Sequence, residues 1–428
     1  MARIYLETYG CTLNQADSDI ISALLIGSGH RLVDREEDSD VVILNTCTVK
    51  GATENKIFER MRSLAKDGRK FVVAGCLSAN EKKIKKYAPL APIVGPSSLA
   101  KINDAISDAL ANRPTIYKKP ESKDQLPKLL TSPIARIPIG EGCVSACHFC
   151  QTRIARPYLK SYSPKTIVKW INKSIEAGAK EIQLTAMDAG AYGLDIKTNL
   201  ERLLDAIAND DSSSRPREAN EYFIRLGMIN PDHCKRMLPG IINALKHPRF
   251  YHFIHVPVQT GSEKVCKEMN RDHTVKDFID IVQEIRSAVP DVMIATDIIV
   301  GYPTETEEDF QQTLSLLQSI KPETVNLSKF CPRPFTKAKE LKQLPGKEIK
   351  RRSGVAAKLI REIGAGARKR FIGQKLRVLI TEKDRDFKGR SIGYQQVVVK
   401  GFAGKLGDIV DVKIKDANHG SLFGQQIE

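Results

Sequence analysis

The segment Gly142-Cys143-Val-Ser-Ala-Cys147-His148-Phe149-Cys150 gathers three cysteines in the pattern CxxxCxxC. Three thiolates on one loop can hold three irons of a [4Fe–4S] cluster, because cysteine thiolate is the usual ligand of such clusters. The fourth iron then has no protein ligand, just as catalytic metal sites keep one position open. The spacing therefore predicts a catalytic iron–sulfur cluster.

The same residues admit a zinc site made from the three cysteines and His148. Zinc sites usually combine two distant pairs of ligands, and the chain has no second CxxC pair. The spacing instead resembles that of the radical-SAM superfamily. In that class the open iron chelates the amino and carboxylate groups of S-adenosylmethionine, and electron transfer into the sulfonium releases a 5′-deoxyadenosyl radical.

A second set of cysteines is Cys11, Cys47 and Cys76, each of which directly follows a predicted strand. The carboxyl ends of parallel strands meet at one edge of a sheet, where ligands bind, so these thiols are expected to converge. They predict a second cluster with one open iron. The alternative is that they are small buried hydrophobes. The last three cysteines share no such placement and are predicted to be packing residues: Cys234, Cys266 and Cys331.

Alternating strand and helix patterns must position both sets of cysteines. Residues 1–115 predict an open parallel α/β sheet with strands at RIYLET, DVVILN, KFVVAG and APIVG. Residues 116–133 are rich in proline and charge and predict a linker. Residues 134–346 hold six βα units, which predict a partial (β/α)6 barrel; the strand candidates are 136–140, 181–186, 222–227, 250–258, 292–301 and 324–330.

Residues 347–371 predict a basic helix, and residues 372–428 predict a small β-barrel of short strands and glycine turns. With 41% hydrophobic residues among 428, the chain can bury several cores. It has no apolar run long enough to span a bilayer and no secretory leader, so a cytoplasmic protein without a membrane partner is expected. The net charge of +16 suggests a polyanionic partner, although solubility alone could explain it.

Ordered motifs along the whole chain resemble those of the methylthiotransferase family of radical-SAM enzymes. They are TYGCxxNxxDS at 8–18, NTC at 45–47, GC at 75–76, the CxxxCxxC segment, RLGMINP at 225–231, HVPVQTGSEKVCKEMNR at 255–271 and DIIVGYPTETEEDF at 297–310. The resemblance implies a cluster domain, a radical-SAM barrel and a TRAM β-domain. GCVSACHFCQTRIARP and AMDAGAYGLDI are similar to the archaeal and eukaryotic branch. That branch modifies tRNA by adding a 2-methylthio group to N6-threonylcarbamoyladenosine at position 37, beside the anticodon.

The resemblance also implies two [4Fe–4S] clusters with distinct roles. Cys143, Cys147 and Cys150 would hold the cluster that cleaves S-adenosylmethionine, and Cys11, Cys47 and Cys76 the one that carries sulfur. A reducing electron donor and a sulfur source are implied as partners. Cofactor contacts are implied at Asp188, Arg225, His255, Gln259, Ser262, Gly301 and Glu305. Met187, where relatives usually place Gln or Glu, and PRPFTKA at 332–338, in place of PRPGTPA, depart from the pattern.

Positive charge near the C-terminus predicts the contacts to the anticodon stem-loop of tRNA. The candidates are Arg351, Arg352, Lys369, Arg370, Lys375, Arg377, Lys388 and Arg390, with Lys383 and Arg385 beside them. A solvated charged face is the alternative for each. Two other functions compete with tRNA methylthiolation. One is methylthiolation of a ribosomal-protein aspartate, which a related branch performs, and the other is an iron–sulfur RNA-binding or redox-sensing protein without radical chemistry.

Overall fold

A parallel sheet with helices on both faces forms the first part of the molecule. The computed structural model describes residues 1–48, 51–210 and 221–427. The strands are β1 (Arg3–Thr8), β2 (Arg31–Leu32), β3 (Val41–Thr46), β4 (Phe71–Gly75), β5 (Ile93–Val94) and β6 (Ile116–Tyr117), and the helices are α1 (Thr12–Gly27), α2 (Gly51–Lys66), α3 (Glu81–Tyr87) and α4 (Ile102–Leu110). The sheet order is β2-β1-β3-β4-β5-β6, which confirms the predicted open sheet.

Strand β3 shows why this sheet is covered on both faces. All six of its residues are buried. Val41 and Ile43 pack in the core that α1 and α4 complete, whereas Val42 and Leu44 point to the other face, toward α2 and α3. A strand of continuous apolar residues is typical of a parallel sheet between two helical layers.

The segment 116–133, predicted as a linker, is held firmly against the sheet. Its first residues form β6, and its lysines reach acidic residues of α1. Lys123 is 2% exposed and its Nζ lies 2.7 Å from Asp17 Oδ1, while Lys128 Nζ lies 3.1 Å from Asp19 Oδ2. Buried lysine charge is expensive unless it is paired, so these contacts fix the path of the chain into the next part.

Six parallel strands form the predicted partial barrel, which is confirmed. They are β7 (Ile134–Pro138), β10 (Glu181–Thr185), β11 (Phe223–Arg225), β12 (Phe253–His255), β13 (Met293–Val300) and β14 (Thr324–Lys329). They lie in two sheets, β11-β10-β7 and β12-β13-β14, which a backbone bridge between Ile224 and Phe250 connects. A short antiparallel pair follows β7, made of β8 (Gly140–Glu141) and β9 (Lys160–Ser161).

Helices cover the outside of the barrel and bury its largest apolar core. They are α5 (Thr152–Ala155), α6 (Pro164–Glu176), α7 (Leu200–Ala208), α8 (Pro231–Arg236), α9 (Leu238–Lys246), α10 (Glu263–Glu268), α11 (Val275–Ala288) and α12 (Glu307–Ile320). These helices do not cover the carboxyl ends of the strands. The loops that follow the strands lie there, and active sites of βα barrels form from such loops.

The C-terminal part is a long helix and a closed β-barrel, as predicted. The helix is α13 (Gly346–Lys369), and the strands are β15 (Lys375–Lys383), β16 (Phe387–Ser391), β17 (Gln396–Val399), β18 (Ile409–Ala417) and β19 (Leu422–Gln426). They close in the order β15-β16-β17-β19-β18. Among the described residues, no helix has both the length and the apolar character needed to cross a membrane.

The turn between β16 and β17 fills the amino-terminal mouth of the six-stranded barrel. Ile392 and Tyr394 pack there against Tyr251 and Phe253. The Tyr394 hydroxyl donates a 3.0 Å hydrogen bond to Glu181, which is fully buried at the start of β10. The backbone N–H of residue 252 also donates to the carbonyl of Ile392 at 2.8 Å. The β-domain thus supplies the floor of the barrel.

Candidate active site

Cys11, Cys47 and Cys76 lie at the carboxyl edge of the N-terminal sheet, each just beyond a strand. Cys47 is so close to the loop after β1 that a Cβ on Gly10 would lie 2.8 Å from the Cys47 Cβ. Gly10 also has φ of +111°, a backbone conformation that favours glycine. Cys76 Sγ lies 3.5 Å from Asn14 Oδ1, and Asn14 is in the first turn of α1, the helix that begins directly after Cys11. The three cysteines therefore lie at one edge of the sheet, and a cluster held by them stays a prediction.

Cys143, Cys147 and Cys150 lie on the loop that follows β8. Gly142 begins this loop with φ of +77°, and a Cβ there would lie 2.0 Å from the Tyr158 carbonyl oxygen. Burial raises the pKa of Cys143 to about 11 and also raises the pKa of Cys147. These groups are protonated thiols near neutral pH until a metal binds, because a metal displaces the proton from its thiol ligand.

Arg271 is a partner of this loop that sequence reasoning missed. Its Nη1 donates to Cys147 Sγ at 3.0 Å, and its Nη2 donates to Asn230 Oδ1 at 2.7 Å. A guanidinium beside a sulfur stabilises the thiolate form that iron requires. The three loop thiols and this cation therefore fit a [4Fe–4S] cluster. The only sequence signal for Arg271 was its place at the end of the HVPVQTGSEKVCKEMNR motif.

Asp188, predicted as a cofactor contact, is 1% exposed and fully engaged with the protein. Oδ1 accepts from the backbone N–H groups of Gly190 and Asn230 at 3.0 and 3.1 Å. Oδ2 accepts from Asn230 Nδ2 at 2.7 Å and contacts His233 Nδ1 at 2.8 Å. Asn230 in turn reaches Ser145 Oγ at 3.3 Å, within the cysteine loop. Asp188 thus orients Asn230, and through Asn230 it helps to position the cysteine loop.

The remaining barrel candidates take separate positions. The Arg225 guanidinium lies over the rings of Phe253 and Tyr394, with its carbon 5.4 and 5.2 Å from their centroids. Its Nε is buried and has no hydrogen-bond partner among the described residues. His255 Nε2 lies 2.9 Å from Asp297 Oδ1, on the neighbouring strand. The structure therefore directs Arg225 toward the barrel floor and keeps His255 beside a carboxylate.

Gln259 and Ser262 shape the turn after β12. Gln259 has φ of +72°, and its N–H donates to the Asp297 carbonyl at 2.9 Å. The Ser262 hydroxyl caps α10 by accepting from the N–H of Val265 at 3.2 Å, and it donates to Asp309 at 2.6 Å. These contacts match the turn and cap roles such residues often have, and a cofactor contact stays a prediction for both.

Glu305 links the turn after β13 to the basic helix. Its Oε2 accepts from the Gly301 N–H and from Arg352 Nη1, each at 2.7 Å, and burial raises the pKa of Glu305. Arg352 is only 4% exposed. A buried arginine paired with a carboxylate cannot reach a phosphate at the surface, which corrects the expectation that Arg352 contacts RNA.

The other predicted RNA contacts differ in whether their side chains are exposed and whether they are paired with a carboxylate of the protein. Arg351 pairs with Glu307 and with Glu348, so it too is engaged within the protein. Lys369 and Arg370, at the end of α13, are exposed. The four β-domain candidates each pair with a carboxylate: Lys375 with Asp411, Arg377 with Glu221, Lys388 with Asp384 and Arg390 with Glu382.

A buried arginine joins the barrel to the edge of the N-terminal sheet that carries Cys11, Cys47 and Cys76. Arg156 follows α5, and its side chain is 2% exposed. It bonds to Asp17 of α1, donates to Glu141 Oε2 at 2.7 Å and donates to Cys76 Sγ at 3.4 Å. Burial alone would raise the pKa of Glu141, but Lys123 and Arg156 more than offset it and hold the pKa at about 2. The charged form of Glu141 is therefore retained in the interface.

The last three cysteines do not behave alike. Cys234 and Cys266 are buried in the main core, as predicted. Cys331 is exposed, so its prediction as a packing residue is wrong. It lies on the loop after β14, where a Cβ on Gly51 would approach its Sγ to 2.8 Å. In the described part of the chain, no three His, Cys, Asp or Glu side chains surround a site for a single metal ion.

Three family models match the chain in sequence order. They are the uncharacterized protein family UPF0004 at residues 3–95, the radical SAM superfamily at residues 137–317 and the TRAM domain at residues 369–427. Together they cover the sheet, most of the six-stranded barrel and the β-domain.

Similar proteins are named for one shared activity. A probable threonylcarbamoyladenosine tRNA methylthiotransferase from Archaeoglobus fulgidus is 40% identical over 99% of this chain and 98% of its own length. A protein of that description from Pyrococcus horikoshii is 38% identical over the whole of both chains. The Homo sapiens threonylcarbamoyladenosine tRNA methylthiotransferase is 31% identical over 99% of this chain and 74% of its own.

Solved structures share the fold at low identity. The radical S-adenosylmethionine methyltransferase TsrM from Kitasatospora setae superposes with a TM-score of 0.57 at 12% identity, over 79% of this chain and 77% of that one. The cobalamin-dependent S-adenosylmethionine radical enzyme OxsB gives 0.54 at 12% identity, over 85% and 55%. At such identity the likeness supports the fold alone.

Proposed function

Because the chain belongs to the family of threonylcarbamoyladenosine tRNA methylthiotransferases, we propose that it adds a methylthio group to N6-threonylcarbamoyladenosine in tRNA. The atom modified is carbon 2 of the adenine beside the anticodon, at position 37. The names of its relatives favour tRNA over a ribosomal-protein aspartate as the substrate. The CxxxCxxC loop at the carboxyl end of a βα barrel favours an enzyme over an RNA-binding or redox-sensing protein.

The observation that carries this proposal is the presence of two cysteine sets, one on the loop after β8 and one at the edge of the N-terminal sheet, where Cys76 contacts Arg156. Cys143, Cys147 and Cys150 hold one cluster, and Cys11, Cys47 and Cys76 hold the other. When bound, a [4Fe–4S] cluster with an open iron supplies the electron that cleaves S-adenosylmethionine into methionine and a deoxyadenosyl radical. The protein itself supports that chemistry in defined ways. Arg271 stabilises the Cys147 thiolate, Asp188 and Asn230 hold the loop, and Arg156 joins the second set to the barrel.

Sulfur insertion at an adenine carbon–hydrogen bond explains why two sets are needed. That bond is too inert for a general base, so one site has to make a radical and the other has to deliver sulfur. A reducing electron donor and a sulfur source are therefore proposed as partners, together with a division of the chain at 1–115, 134–346 and 372–428. A cytoplasmic location stays a prediction.

The activity is tested with purified protein whose clusters are rebuilt without oxygen. Incubation with a reductant, S-adenosylmethionine, sulfide and tRNA that carries N6-threonylcarbamoyladenosine should yield its 2-methylthio derivative. Mass spectrometry of the digested nucleosides measures the product. The same tRNA with unmodified adenosine at that position serves as the control substrate. If the modified tRNA stays unchanged while deoxyadenosine accumulates, the proposed substrate is incorrect.

The exposed end of α13 offers a second test. If its cations bind tRNA phosphates, they displace the counterions condensed there, and the affinity should fall as the salt concentration rises. Changing Lys369 and Arg370 to Gln should reduce the slope of log affinity against log salt by about 0.7 for each phosphate that the protein no longer neutralises. Changing Lys82 and Lys86 of α3 to Gln is the matched control, because both are exposed and the same number of charges is removed. An equal change of slope in the control would show that overall charge, and not this surface, governs the salt dependence.

A further inference from the structure

Only two of the aromatic side chains in the described residues are exposed. They are Tyr158, at 74% exposure, and Phe335, at 71%. Every Phe, Tyr and Trp of the chain lies within the described ranges, so this pair is distinctive within the whole sequence. Aromatic residues are enriched at binding interfaces relative to the rest of a protein surface, so the two exposed rings are candidates for contacts with a partner.

Both rings flank the loop that holds Cys143, Cys147 and Cys150. The Tyr158 backbone packs against Gly142, the residue before Cys143. Phe335 lies on the loop after β14, and the N–H of Ala338 in that loop donates to the His148 carbonyl at 3.0 Å. Exposed cations accompany the rings, with Arg153 before Tyr158 and Lys337 after Phe335. The mouth of the candidate active site thus presents aromatic and positive groups together.

Phe335 is held in a conformation that an aromatic residue rarely adopts. Its φ is +64°, in the left-handed region, which costs free energy for any residue with a bulky side chain. Tyr394 has a similar φ of +65°, but its ring is packed against Tyr251 and Phe253 and its hydroxyl bonds to Glu181. Phe335 gains no comparable burial within the protein.

The loop that carries Phe335 is anchored on both sides of that residue. Arg333 is buried and its Nη1 donates to Glu54 Oε2 at 2.9 Å, on the N-terminal domain. The Thr336 hydroxyl donates to the Arg333 carbonyl at 2.8 Å, which closes the backbone turn that contains Phe335. A fixed, strained and exposed ring indicates that its favourable contacts are made with a bound partner.

We propose that Phe335 and Tyr158 are stacking platforms for nucleobases that flank the target adenine in the anticodon loop. The inference rests on the proposed function, which brings single-stranded RNA to this mouth. Proteins recognise unpaired bases by stacking them on aromatic rings, and neighbouring cations hold the phosphates. Two exposed rings next to the cysteine loop would hold the neighbouring bases and leave the target adenine free to approach the site.

The test measures the affinity of the cluster-loaded enzyme for an anticodon stem-loop at several salt concentrations. Phe335→Ala and Tyr158→Ala should each weaken binding by about tenfold, the usual scale for removing one base stack, without changing the salt slope. Phe335→Trp should restore affinity, because any aromatic ring can stack. Leu341→Ala is the matched control, since Leu341 is 40% exposed just beyond the same loop and has no ring to stack.

Phe335→Gly separates binding from folding. Glycine accepts a positive φ, so this variant should unfold at no lower temperature than the wild type and still lose about tenfold in RNA affinity. If Phe335→Ala binds the stem-loop with wild-type affinity, the inference is overturned and the proposed function is untouched. The same holds if Phe335→Ala binds RNA normally and is impaired only in its reduction by a protein electron donor. A wild-type enzyme that fails to bind the stem-loop would overturn the proposed function and this inference with it.

Discussion

Changing Cys11, Cys47 and Cys76 together to Ala should abolish methylthio transfer and still allow S-adenosylmethionine to be cleaved. The three thiols lie on the N-terminal sheet, whereas the radical-generating loop is anchored separately by Arg271 and Asn230. The variant should therefore form 5′-deoxyadenosine after reduction and leave tRNA without the methylthio group. Deoxyadenosine is measured by chromatography and the modified nucleoside by mass spectrometry, on the same samples.

The converse variant completes the comparison. Changing Cys143, Cys147 and Cys150 to Ala should abolish both products, because no radical is made. Each triple variant should retain about four irons where the parent holds about eight, as two four-iron clusters require. Cys331→Ala is a matched control, because Cys331 is exposed and belongs to neither set. Methylthiolation at the parent rate by the first variant would show that its cysteines do not deliver sulfur.

Changing Arg156 to Met should destabilise the protein by about 3–5 kcal/mol, the usual cost of breaking a buried ion pair by removing one partner. Among the described residues, the change leaves Asp17 and Glu141 with Lys123 as their one buried counter-charge. It also removes the hydrogen bond to Cys76. The midpoint of chemical denaturation should fall, and electron paramagnetic resonance of the reduced protein should report an altered second cluster while the first is unchanged.

Arg3→Met is the control for loss of an arginine on the surface. Arg3 also pairs with an aspartate, Asp40, but its side chain is 54% exposed, and exposed pairs contribute little to stability because water screens their charges. Arg156→Lys should give an intermediate loss, because lysine keeps the charge but has no planar fork to reach several acceptors at once. Equal denaturation midpoints for Arg156→Met and Arg3→Met would contradict the role assigned to Arg156.

The sequence predicted the parts of this molecule that follow from local pattern. Continuous apolar runs such as DVVILN correspond to a buried strand because each residue faces one of two helical layers. Cys11, Cys47 and Cys76 could be grouped because parallel strands end at a common edge, so position after a strand implies position in space.

The contacts that depend on long-range packing could not be predicted. Arg156 meets Cys76 from 80 residues away and Asn14 from 142, and no local rule reports such separations. Arg352 was one cation in a basic run, and only the packing of α13 against the turn at Glu305 reveals that it is buried. Cys331 shared no placement with the other cysteines from which its surroundings could be inferred, and the structure shows it exposed on the loop after β14.

The turn of the β-domain that carries Tyr394 and fills one mouth of the barrel has a geometric consequence for substrate selection. Because the β-domain inserts its turn into the barrel and bonds to Glu181, it is seated at a fixed offset from the cysteine loop at the opposite mouth. If the end of α13, which leads directly into the β-domain, holds tRNA phosphates as proposed, that offset sets a fixed distance between the held phosphates and the cysteine loop. The nucleotide that reaches the loop is then chosen partly by its distance along the RNA from the phosphates that are held, before any atom of its base is read.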